Sequence, residues 1–115
     1  MMKLNFSKHL AAQDMVTIIM KAKGLAVKEA IEFAINRDIF DRILKAGYAS
    51  IALELWGHGG PNRRWERLNE PLIEIELDES RQSLIDEIIK TEKVDVETAV
   101  AYFLLFTMES LGYHI

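Results

Sequence analysis

No cysteine occurs among the 115 residues, which removes a disulfide framework, thiolate metal ligands and a thiol nucleophile together. A chain without cysteine fits a reducing cytosol. Only two prolines interrupt it, Pro61 and Pro71, and the three histidines are His9, His58 and His114. No two of these stand at the i, i+3 or i, i+4 spacing that sets two ligands on one helix face, so neither a metal nor another cofactor is expected. Long apolar runs are missing too: the longest, Ala99 to Phe106, is far short of the roughly 20 residues that a membrane span needs. Near the start, Gln13 and Asp14 break the apolar stretch before a secretory segment develops. The protein is expected to stay in the cytoplasm where it is made.

What remains is ordinary globular material, 50% apolar and 28% charged, enough to bury a core in one domain without metals or staples. Charge is unevenly spread. Residues 1–57 carry a net of +2 and the loop 58–71 a net of +1, whereas residues 72–115 hold ten carboxylates against three cations. The modest total of −4 therefore hides a strongly acidic end, which repels nucleic acid and can attract a basic protein.

Apolar spacing predicts helices nearly everywhere. Ser7 is a candidate N-cap for a first helix whose face is Leu10, Ala11, Met15, Ile18, Ile19 and Ala22, with Gly24 as its stop. A second runs from Val27 to Asn36 through Ala30, Ile31, Ala34 and Ile35. Asp38 can cap a third, with Ile39, Phe40, Ile43 and Leu44 on one side and Gly47 at its end. Residues 48–56 fit two patterns: Ile51, Leu53 and Leu55 alternate as in a strand, while Tyr48, Ile51, Ala52 and Leu55 recur as in a helix. Helix is the favoured assignment. Gly57-His58-Gly59-Gly60-Pro61-Asn62 then breaks either element. After the loop, residues 72–77 alternate as a short strand with Ile73, Ile75 and Leu77 inward. Asp78 opens a helix to about Lys93 with Leu84, Ile85, Ile88 and Ile89 inward, and Asp95 caps a last helix from Val96 to Leu111. That last helix has almost no polar face and is expected at the centre. The fold expected is a mainly α, compact helical domain of five or six helices, with at most a short strand or hairpin near residues 72–77.

Candidate chemistry is sparse. Gly57-His58-Gly59-Gly60 is similar to the oxyanion loop of some esterases, but no Gly-x-Ser-x-Gly accompanies it, and a loop that reverses the chain is the expected role. Arg63-Arg64-Trp65-Glu66-Arg67 could grip phosphates while Trp65 stacks on a base. The run is short, broken by Glu66, and sits in an acidic domain, against the usual basic footprint of nucleic-acid binders. Adjacent carboxylates such as Asp78/Glu79 and Asp86/Glu87 point in different directions on a helix and read as a solvated face. No enzyme is expected.

The strand-helix-helix order from Leu72 to Leu111 resembles a ribbon-helix-helix unit, in which strands from two subunits enter the DNA major groove. A dimeric antitoxin or transcriptional regulator is thus the alternative function, and a lone strand would find its partner in a second subunit. Glu74 and Glu76 would then face phosphates, which opposes DNA binding.

Two further stretches, residues 55–61 (Leu-Trp-Gly-His-Gly-Gly-Pro) and the ending from Tyr102 to Ile115, resemble immunity proteins of bacterial contact-dependent growth inhibition, the CdiI group. The resemblance implies a protein that binds and neutralises the C-terminal toxin domain, often a nuclease, of a cognate CdiA effector and so protects sibling cells. A nuclease needs a basic surface to hold phosphates, and an acidic face can steer toward it and cover it. The carboxylates expected to do so are Asp78, Glu79, Asp86, Glu87, Glu92 and Asp95. Trp65 and then Tyr113 are the expected aromatic anchors of the desolvated centre. A monomer is the favoured state.

Overall fold

The strand of the acidic half finds its partner at the opposite end of the chain. In the computed structural model, which describes residues 2–44, 48–57 and 66–113, strand β1 (Met2–Asn5) pairs antiparallel with β2 (Leu72–Ile75). Met2 stands opposite Ile75 and Asn5 opposite Leu72. Met2, Leu4, Ile73 and Ile75 are buried, while Lys3, Asn5, Leu72 and Glu74 face outward. Pairing continues one step further, because the Phe6 N–H donates to the Pro71 carbonyl at 2.9 Å. The strand is two residues shorter than expected, and Leu77, beyond its end, is half-buried.

Helix α1 (Leu10–Lys23) starts later than Ser7 suggested. Asn5 Oδ1 accepts from both the backbone N–H and the hydroxyl of Ser7, at 3.0 and 2.6 Å, so Ser7 is consumed in the turn that leaves β1. The N-cap is His9, whose Nδ1 accepts from the Ala12 N–H at 3.2 Å. The buried face also differs: it includes Gln13, Asp14 and Val16, whereas Ile18 is only half-buried and Ala22 is exposed. Gly24 ends the helix as expected, in the left-handed region at φ 68° with its N–H returned to the Met20 carbonyl, a conformation that glycine adopts without Cβ strain.

Helix α2 (Val27–Ile35) buries Ala30, Ile31, Ala34 and Ile35. Helix α3 (Phe40–Ile43) is a single turn whose N-cap is the buried Ile39. Asp38 is therefore not its cap; it lies one residue outside, exposed to solvent. Residues 48–57 form helix α4 (Tyr48–Gly57), resolving the ambiguous periodicity, although Ile51 points away from the core and is 59% exposed. Ala49, Ala52 and Leu53 make its inner face.

Helices α5 (Glu79–Glu92) and α6 (Val96–Ser110) carry aspartate N-caps at Asp78 and Asp95, as the sequence suggests. Every residue of α6 from Ala99 to Met108 is buried. It contacts all five other helices and β1, which is why its sequence could lose its polar face. The two halves of the chain thus share one core. A radius of gyration of 13.0 Å is about what a single domain of this length requires.

Candidate partner-binding surface

The carboxylates of residues 78–95 divide by task. Asp78 Oδ1 accepts from the Arg81 N–H and the Ser80 hydroxyl, both at 2.8 Å, and these bonds hold its carboxyl below the ordinary aspartate value. Asp95 Oδ1 accepts from the Thr98 N–H at 2.9 Å. The Thr98 hydroxyl and that N–H keep it below the ordinary value in the same way. Both are structural caps that also remain exposed and negative.

Glu79, Asp86 and Glu87 lie on the exposed side of α5, with Glu79 and Asp86 seven residues apart and therefore on one stripe. Among the described residues Asp86 accepts a side-chain amide, Gln82 Nε2 at 3.2 Å, and Glu87 a hydroxyl, Thr91 Oγ1 at 3.2 Å. Among the described residues no ion pair joins these carboxylates to Arg81, Lys90 or Lys93. Their charge is therefore displayed, not spent within the fold. Glu92, the last residue of α5, is half-buried.

Arg81 explains part of that imbalance. Its guanidinium Nη1 reaches the carbonyls of Ile35 and Arg37 at 3.4 and 3.2 Å, at the C-terminal end of α2, where carbonyls lack helical partners and the dipole favours a cation. The cation in the first turns of α5 is thus withdrawn to tie the acidic half to the basic half. Sequence reasoning missed this role. The available signal was a lone arginine in an otherwise acidic helix start.

The surface is not one tight patch. Asp95 and Tyr113 lie beyond opposite ends of the 15-residue α6, a span of about 22 Å at helical rise. Tyr113 is 44% exposed, held by its N–H to the Met108 carbonyl at 3.2 Å. Trp65, with the Arg63-Arg64 pair and His58, lies outside the described residues. The segment that follows Trp65 is anchored by two buried polar side chains of α1. Gln13 donates from Nε2 to the Phe6 carbonyl at 2.7 Å and accepts at Oε1 from the Leu68 N–H at 3.0 Å, while Asp14 accepts from the Glu66 N–H at 3.2 Å. The polar pair that interrupts the apolar N-terminal stretch is in fact a clamp on the long connection. Lys21 adds an exposed ion pair with Glu66 at 3.1 Å, worth little by itself.

A separate cavity of about 520 Å³ opens between the start of α1, α4 and the start of α6, lined in part by His9, Ser50, Glu54, Thr98 and Tyr102. Burial pushes the Tyr102 hydroxyl up, opposed by its hydrogen bond with Ser50. Burial lowers His9, opposed by the carboxylates of Asp95 and Glu97. Among the described residues there is no group of three histidine, aspartate or glutamate side chains placed to hold a metal ion, and no helix is long and apolar enough to cross a membrane. Comparison with protein-family models, curated proteins and solved structures found no match.

Proposed function

We propose that the chain is an immunity protein that binds and neutralises the basic toxin domain of a cognate CdiA effector in the cytoplasm of the cell that makes it. The observation that carries the proposal is the solvent-facing set Asp78, Glu79, Asp86, Glu87 and Asp95, left without ion-pair partners among the described residues while the nearby Arg81 is drawn inward. Such a face concentrates a cationic partner and accelerates encounter. Trp65 and Tyr113 are the proposed anchors, with Glu92 at the rim. The ribbon-helix-helix alternative loses its motive, because β2 already has an antiparallel partner in β1 of the same chain.

Association with the partner co-purified from the source cell tests this. Reversing Asp86 and Glu87 to lysine should slow association at least about tenfold at low salt and flatten its salt dependence, as expected of steering charges. Trp65→Ala should instead speed dissociation, costing about 2 kcal/mol for a central anchor. An association rate unmoved by the reversals at low salt would show that the acidic face is only solvated surface.

A further inference from the structure

His9 sits where three events meet: the exit from β1, the first turn of α1 and the capped start of α6. Its Nδ1 is occupied as the acceptor for the Ala12 N–H, so the neutral ring carries its proton on Nε2. That ring packs edge-on against the fully buried Phe6, 6.3 Å between centroids. One side of it borders the cavity shared with Ser50, Glu54 and Tyr102.

The surrounding charges can receive a protonated ring. From the start of α6 the carboxylates of Asp95 and Glu97 act on His9; Glu54 of α4 and the preceding residue, Lys8, line the same cavity. Both α6 carboxylates are already employed, Asp95 as the α6 cap and Glu97 as acceptor for the Asn5 N–H at 3.0 Å. An imidazolium would be drawn to these carboxylates by charge.

We propose that His9 is an acid-sensitive latch on the β1–α1 junction. Neutral, it closes the first turn of α1. A proton taken from solvent onto Nδ1 removes the only lone pair that accepts the Ala12 N–H, leaves that donor unsatisfied, and sets a positive charge next to a helix N-terminus, which disfavours cations. The ring then turns toward Asp95 and Glu97, loosening the hold of Glu97 on Asn5. Acidification thereby opens the junction locally while the α6 core stays folded.

The test is nuclear magnetic resonance on the full chain, following the His9 ring nitrogens and the exchange protection factor of the Ala12 amide from about pH 7.5 to about pH 4, a window that reaches well below the ordinary histidine value because burial lowers His9. The wild type should show Nε2–H at neutral pH and lose Ala12 protection about fivefold on protonation, the size of a lost cap. His9→Asn, which caps without titrating, should keep Ala12 protection flat with pH, while His58 and His114 remain present as internal controls. Equal pH dependence of Ala12 protection in wild type and His9→Asn would overturn the latch. So would a neutral ring protonated on Nδ1.

Discussion

Helices α5 and α6 have nearly the same length, 14 and 15 residues, are separated by three residues, and begin in the same way, with an aspartate accepting an N–H from the first turn. Their outward faces are opposites. Ten consecutive residues of α6 are buried, whereas α5 fully buries only Ile85 and Ile88. Local start signals are therefore blind to destination: an aspartate cap opens a helix whether it will lie in the core or on the surface. Destination is written in the spacing of apolar residues along the helix. The consequence is that α6 fills the core while α5 keeps most of its carboxylates in solvent, the face on which the proposed partner would dock.

The largest expected effect breaks the α6 side of this comparison. Phe103 is fully buried, and truncating it leaves both lost transfer energy and a cavity that its neighbours only partly close. Phe103→Ala should cost about 3–5 kcal/mol in urea denaturation followed by circular dichroism. A cost below about 1 kcal/mol, in the range of an exposed substitution, would mean that α6 is not the centre of the fold.

An intermediate effect tests the feature that the two helices share. Asp95→Ala should cost about 1 kcal/mol, the usual value of a lost N-cap. The sign with pH follows from the direction of its shift. The folded carboxyl lies below its ordinary value because the Thr98 hydroxyl and N–H stabilise the ionised form, so the stabilisation is complete above the unfolded value of about 4 and fades as pH falls through the lower folded one. Asp95→Asn keeps a cap but cannot titrate. Its urea midpoint should therefore match the wild type at neutral pH and fall less steeply in acid. Identical acid limbs would show that Asp95 does not depend on its charge.

Much of this fold is legible in the sequence, because periodicity and capping act locally. The residue pattern placed α2, α5 and α6 within a residue or two, and the αL stop at Gly24 follows from glycine's freedom at positive φ. What failed was non-local. The alternation Met2-Lys3-Leu4-Asn5-Phe6 is a strand pattern too short to stand alone, and its partner lies about seventy residues away. Ser7 and Asp38 have the right chemistry for caps, but Asn5 claims the first, and the second is displaced by Ile39, whose side chain is buried while its carbonyl accepts from the turn. Gln13 and Asp14 are polar residues on a buried face because they satisfy backbone groups of a segment that folds over α1. The acidic surface was legible as composition. Its sharpening by the inward turn of Arg81 was not, since that depends on where the carbonyl end of α2 comes to rest.

The smallest expected effect sharpens the α5 side. Asp86 and Glu87 are exposed, and among the described residues they accept one amide and one hydroxyl contact on the same helix, at 3.2 Å each. Such contacts contribute a few tenths of a kcal/mol on a helix surface. Reversing both to lysine also relieves repulsion in a region that is strongly negative, which offsets the loss. Stability should stay within about 0.5 kcal/mol of the wild type, measured by the same urea denaturation as for Phe103→Ala. This near-zero value gives the partner experiment its meaning. If the double reversal slows association while leaving stability unchanged, the charges act outward, on the encounter. A loss of more than about 1 kcal/mol, beyond what surface positions normally show, would instead assign Asp86 and Glu87 to holding α5 in place, and the contrast between a recognising helix and a stabilising one would collapse.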